Sequence, residues 1–107
     1  MIIYVDVDGT ITSEQRGRSF YKVPLRQDVI DKVKKLENEG HEIVIWTGNT
    51  KYAQDVAKKI GLKTTICARK PDLIIDNQVR RFSRKLKRKV ISPEDFLTMD
   101  FNNDKKL

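Results

Sequence analysis

The sequence predicts a three-layer α/β/α sandwich on a mainly parallel sheet whose first strand is central. Two observations carry this expectation. Short apolar, β-branched runs alternate with helical stripes along the chain, a pattern that builds a parallel sheet with helices on its faces. The length, 107 residues, suits a single domain spanning 1–107 that buries roughly two-thirds of the surface its unfolded chain exposes.

Taken in order, Ile2 to Val5 is a continuous apolar run suited to a buried strand. Residues 11–24 are polar, contain Gly17 and Pro24, and read as a long loop or small flap. A helix is expected from about Asp28 as N-cap, with Val29, Ile30, Val33 and Leu36 on one stripe and Gly40 as its stop. Ile43 to Trp46 is the next strand, and a helix with Ala53, Val56, Ala57 and Ile60 on one face follows as far as Gly61. Thr64–Cys67 is a weaker strand, Leu73–Ile75 a stronger one, and Val90–Ile91 the last. Ser92 and Pro93 begin a terminal helix, with Phe96 and Leu97 turned inward. Residues 80–91 are expected as a basic hairpin, and 102–107 as a frayed tail.

Composition narrows the function. With 38% hydrophobic and 35% charged residues the chain has the makings of a folded core. One cysteine, Cys67, excludes an intrachain disulfide, and a single histidine, His41, excludes a Cys/His zinc cluster. Cys67 reads as a small packed residue and His41 as an exposed residue entering a strand. No apolar run approaches the ~20 residues of a membrane span. The apolar start lacks a basic region and a cleavage site, so the expected compartment is the reducing cytoplasm. The formal charge is +7, and Arg80, Arg81, Arg84, Lys85, Lys87, Arg88 and Lys89 account for it locally. The other 15 basic residues balance the 15 acids.

In open parallel sheets ligands bind beyond the carboxyl ends of the strands. The polar residues at those ends are Asp6, Thr47, Lys70 and Asp76. Asp6 and Asp8 stand two residues apart, and carboxylates held that close need a cation between them or a proton on one. Mg²⁺ suits all-oxygen ligands, and Gly9 lets the backbone turn sharply. A carboxylate can attack phosphorus to give an acyl phosphate, and a second acid can move the protons. Thr47 and the amides of Gly48 and Asn49, near a helix start, can bind phosphoryl oxygens. Thr47 also fits a helix N-cap. Trp46 reads as packing. Asp72 precedes its strand and is expected away from the metal.

These residues resemble the four motifs of the haloacid dehalogenase superfamily. Asp6-Val7-Asp8-Gly9-Thr10 is similar to the first and Ile45-Trp46-Thr47-Gly48 to the second. Lys70 is similar to the third, and Ile75-Asp76-Asn77 to the fourth. The resemblance extends to about Leu97 and points to small capless members. It implies a Rossmann-like sheet and a hydrolase of phosphoric monoesters. It further implies Asp6 as nucleophile, Asp8 as general acid/base, Thr47 binding the phosphoryl group and Lys70 steadying both. Mg²⁺ would be held by the Asp6 side chain, the Asp8 carbonyl and Asp76. Asn77 replaces the second acid often found there, and can act through a water.

An uncapped site is open unless another subunit covers it, so a homo-oligomer lid is one expectation. The leading function is a phosphomonoester phosphatase whose substrate the sequence leaves open. The alternatives are a nucleic-acid-end phosphatase using the basic segment, and a non-enzymatic polyanion-binding module on the same scaffold. The basic segment fits either a solvated hairpin or a surface that attracts polyanions, with Arg16 and Arg18 adding to it.

Overall fold

The computed structural model describes residues 1–15, 17–63, 71–81 and 89–101. The apolar runs form β1 (Ile2–Asp6), β2 (Glu42–Trp46), β3 (Leu73–Ile75) and β4 (Val90–Ile91). All pair in parallel, in the order β2-β1-β3-β4. The first strand is interior, as its composition predicts. Val5 is in register with both Ile45 and Ile75, so the polar residues that follow these positions emerge at one edge of the sheet. Asp72 is at the opposite end, where its carboxylate accepts the Ile2 N–H at 2.7 Å. Thr64–Cys67, expected as a further strand, lies outside the described residues.

Parallel pairing puts Ile3, Val5, Ile43, Ile45, Leu73 and Ile75 on one face of the sheet. They share a core with α1 (Gln27–Asn38), α2 (Thr50–Ile60) and Phe96. The other face carries Val44, Ile74 and Val90, which are also buried, so both faces are covered. The stripe of α1 is the expected one, Val29, Ile30, Val33 and Leu36. Its N-cap, however, is Arg26, and Asp28 sits in the first turn with its carboxylate on the Val29 N–H. In α2 the four expected residues are joined by Tyr52 on the buried face, and Gly61 ends the helix at φ +83°.

The terminal helix α3 (Pro93–Thr98) begins as expected, with Ser92 accepting the Asp95 N–H at 3.1 Å. Its Phe96 is fully buried. The Lys32 ammonium of α1 donates to the Phe96 and Met99 carbonyls and lies over the Phe96 and Phe101 rings, tying α3 to α1. His41 is half-buried, with Nδ1 3.3 Å from the terminal amine. Burial and that neighbouring charge lower its pKa.

The loop after β1 folds back on itself through a Thr12–Leu25 bridge and a single 3₁₀ turn, Ser19–Tyr21. This is the small flap anticipated from the sequence, and no cap domain is present among the described residues. Residues 79–81 are helical, and β4 joins β3 in parallel. At its two described ends, then, the basic segment has a helical turn and a parallel strand where a hairpin was expected. Residues 82–88 lie outside the described residues, as does the tail from Asn102. No described helix is long and apolar enough to cross a membrane.

Phe96→Ala removes the largest fully buried side chain among the described residues and should cost about 3–5 kcal/mol. Urea unfolding at equilibrium measures this.

Candidate active site

The turn after β1 is closed by one carbonyl. Val7 O accepts the N–H groups of Thr10, Ile11 and Thr12 at 3.1, 2.9 and 3.1 Å. This geometry requires Gly9 at φ +82°, a conformation that glycine adopts without a Cβ penalty. Asp6, at the end of β1, accepts the Thr10 hydroxyl at 3.2 Å.

Asp8 points to a different set of donors. Its Oδ1 accepts the Ser19 N–H at 3.0 Å, the Ser19 hydroxyl at 2.6 Å and the Tyr52 hydroxyl at 2.8 Å. A chain of donors stands behind it. Gly9 N–H donates to Thr12 Oγ1 at 3.0 Å, and Thr12 Oγ1 lies 2.6 Å from Ser19 Oγ. Each hydroxyl also faces a second acceptor, Asp8 for Ser19 and the Glu14 carbonyl at 2.9 Å for Thr12, so either oxygen can be the donor in that pair. Phe20 N–H in turn donates to the Tyr52 oxygen at 3.0 Å.

Asp76 follows β3 and is 2% exposed. Its Oδ1 accepts the Gln78 N–H at 2.7 Å. Asn77 lies between the acids. With its amide nitrogen turned towards them, that nitrogen reaches Asp6 Oδ2 at 3.1 Å, Asp76 Oδ1 at 3.2 Å and the Asp8 carbonyl at 3.3 Å. Three acceptors facing a single point favour a donor there, so this orientation of the amide is the physically consistent one. Gly9 makes the space for it, because a Cβ at that position would come within 2.5 Å of the outer end of the amide, its oxygen in this orientation.

The same point suits a hard cation. Two side-chain carboxylates and one main-chain carbonyl supply oxygens only, the donor set Mg²⁺ prefers. Among the described residues no three Asp, Glu, His or Cys side chains cluster. Any cation would therefore depend on the Asp8 carbonyl and on waters to complete its shell.

The electrostatics point the same way. Burial, then the charge of Asp76, pushes the Asp6 carboxyl from its ordinary 3.8 up to about 8, with Asp8 adding to the rise. Burial also raises Asp76, against the Gln78 N–H, the facing indole of Trp46 and the charge of Arg81. Two buried acids this close need a proton, a hydrogen-bond donor or a cation between them.

A cleft of about 550 Å³ opens over these groups. Asp6, Asp8, Asp76 and Asn77 line it, together with Trp46, Thr47, Gly48 and Arg81. Thr47 is not the helix cap. That is Asn49, whose side chain accepts the Tyr52 N–H at 3.1 Å. Thr47 Oγ1 instead accepts the Asn49 N–H at 2.9 Å and donates to the Asn49 carbonyl at 3.0 Å. The Asn49 amide, expected to face phosphate, is thus already bonded, and Asn49 does not line this cleft. Lys70 lies outside the described residues.

Four contributors were not singled out as site residues in the sequence. Trp46, read as packing, lines the cleft and faces Asp76 as well as stacking near Tyr4. Ser19 and Tyr52 hold Asp8. Tyr52 carried a usable signal, since a tyrosine on the buried stripe of a helix must find a partner for its hydroxyl. Gln15 bonds the Asn77 amide at 2.6 Å, and nothing local in the sequence marks it.

Residues 3–93 match a known family, the haloacid dehalogenase-like hydrolases. No curated protein and no solved structure matches the chain.

The raised Asp6 pKa has a sign that can be checked without substrate. The folded protein holds a proton on Asp6 that the unfolded chain releases near 3.8. The stability this gives is complete below that value and is lost as pH rises through about 8. In chelator, Asp6→Asn should therefore gain melting temperature relative to the parent as pH goes from 5 to 8.5. Mg²⁺ should narrow the gap at the alkaline end.

Proposed function

The chain belongs to the haloacid dehalogenase-like hydrolases, and from that membership we propose that it is a Mg²⁺-dependent phosphomonoester phosphatase acting through a phospho-aspartate. The observation that carries the reading is the convergence of Asp6, the Asp8 carbonyl and Asp76 on one point, beside a separately anchored Asp8 side chain. The two acids of the first turn have different surroundings, as two acids with different roles require. Asp6 is set into the carboxylate pair, and Asp8 is held by hydroxyls.

Asp6, Asp76 and the Asp8 carbonyl would hold Mg²⁺, with Asn77 turned aside and joined to it through a water. When bound, the ion neutralises the two carboxylates and the phosphoryl charge. An Asp6 carboxylate oxygen attacks phosphorus, and the bond from phosphorus to the leaving oxygen breaks. Asp8 gives that oxygen its proton, so the leaving group departs as an alcohol. Asp8 then takes a proton from a water that attacks the acyl phosphate. The bond from phosphorus to Asp6 breaks, returning free carboxylate and inorganic phosphate.

The Thr47 hydroxyl and the Gly48 N–H would bind phosphoryl oxygens, a role their position in the cleft wall supports. To do so, the Thr47 proton must turn from the Asn49 carbonyl. Arg81, also in the cleft wall, adds positive charge. Lys70 takes the role of steadying Asp6 and the phosphoryl group, on the strength of its motif. The reading places the enzyme in a reducing cytoplasm, supported by its single cysteine.

A second reading, hydrolysis of phosphate from nucleic-acid ends, draws on Arg81. This residue is the second of the basic segment and lines the cleft. A second copy of the chain as a lid is compatible with either reading, since the cleft is open.

Asp6→Asn should abolish turnover and leave no covalent intermediate. Asp8→Asn should lose about 10²–10⁴-fold in rate and, with an activated aryl phosphate, accumulate one phosphoryl group on Asp6. Acid quenching followed by mass mapping distinguishes the two. A phosphoryl group on another residue, or none on Asp8→Asn, would point to direct attack by water.

A further inference from the structure

A second cleft, of about 500 Å³, lies beside the first and is lined by Arg18, Tyr21, Lys51, Tyr52, Asp55 and Lys58 among others. Two chain segments join the clefts. Gly17 and Gly48 line the catalytic one, while the next residue of each segment, Arg18 and Asn49, lines the second. Tyr52 is a third link, because it lines the second cleft and donates to Asp8 in the first.

The position has a chemical meaning under the proposed phosphatase reading, on which this inference rests. The phosphoryl group must lie over Asp6. The acid that protonates the leaving oxygen is Asp8, so the leaving group lies on the side of Asp8. Behind Asp8 stand Ser19 and Tyr52, and beyond Tyr52 is the second cleft. Tyr52 is buried and closes that direct line, so the alcohol portion reaches the second cleft over the exposed Gly17–Arg18 and Gly48–Asn49 edges that the two clefts share.

The lining says what that portion should carry. Arg18, Lys51 and Lys58 supply three cations against one acid, Asp55, and the Asp55 carboxylate is already engaged by the Tyr21 hydroxyl. Among the described residues none of the three cations makes an ion pair. Lys59 adds a further ammonium 5.3 Å from the Tyr21 ring centre. Tyr21 itself is 51% exposed and packs against Phe20 and Tyr52. A half-exposed ring bordered by unneutralised cations fits a flat or sugar-like body bearing a negative charge. The volume is that of a small-molecule site.

We propose that the Arg18–Lys51–Lys58 cleft is the leaving-group subsite, and that it selects small phosphomonoesters whose leaving group carries a second anionic group, a carboxylate or a further phosphate.

The test uses matched substrates that differ only in that second charge. Phenyl phosphate is compared with 4-carboxyphenyl phosphate, and adenosine 5′-monophosphate with adenosine 3′,5′-bisphosphate. The expected result is a kcat/KM about tenfold higher for the charged member of a pair, the size that a few exposed charge contacts allow. The preference should shrink as ionic strength rises. In Lys51→Ala/Lys58→Ala, both exposed helix positions, the ratio should fall towards one. In Lys35→Ala, which removes an exposed cation of α1, it should stay as in the parent.

No turnover of phenyl phosphate by the parent protein would defeat the phosphatase reading itself. Turnover of both members at equal efficiency, or a preference that survives loss of Lys51 and Lys58, would overturn the subsite alone. So would activity confined to 5′-phosphorylated oligonucleotides with no preference within either small-molecule pair.

Discussion

Asp6 and Asp76 are two carboxylates at the ends of neighbouring parallel strands, turned towards one another in a buried setting. This repulsion is the constraint around which the rest of the site is arranged. Burial raises both pKa values, and the charge of Asp76 raises that of Asp6 further, so the pair is stable only with a proton, a hydrogen-bond donor or a cation between its members. The strand register makes the encounter unavoidable, since Val5 and Ile75, the residues just before the acids, are paired. Gly9 and Asn77 then fit the need together. The glycine leaves open the volume that the amide fills, and the two N–H donors of the amide face the three oxygens. An asparagine in place of a second acid makes sense here, because a third carboxylate at this point would deepen the repulsion.

Asp8 is handled by the opposite strategy. Its carboxylate leaves the buried pair and is held in a web of hydroxyls and amides from the flap and α2. The flap therefore does more than connect β1 to α1. Its single 3₁₀ turn carries Ser19, and Ser19 is buried beside Thr12. A loop that looks merely polar in sequence becomes the second wall of the active cleft.

The strands, the helical stripes and the carboxyl-edge placement of Asp6, Thr47 and Asp76 were legible because they follow from local periodicity. Ser92 as a cap was legible for the same reason, with Pro93 beside it. Asp28 and Thr47 were misread as caps, because Arg26 and Asn49 hold those positions and both candidates sit within two residues of the true cap. Ser19, Tyr52 and Trp46 were not read as site residues, because their contacts join distant segments. The Tyr52–Asp8 bond spans 44 positions, and no local pattern encodes such a pairing. The expected hairpin rested on the likeness of this stretch to small members of the family and on its solvated charge, neither of which distinguishes a helical turn from a strand at Arg80 and Arg81.

The most direct measurement of the central claim is a calorimetric titration of the protein with Mg²⁺ at pH 7, in buffers of differing ionisation enthalpy. An Asp6 carboxyl held near 8 is mostly protonated at that pH, so a cation that binds between it and Asp76 must expel the proton. Binding of one Mg²⁺ with release of close to one proton, lost in Asp76→Ala, is the result the account requires. Binding without proton release that persists unchanged in Asp76→Ala would place the metal elsewhere and contradict it.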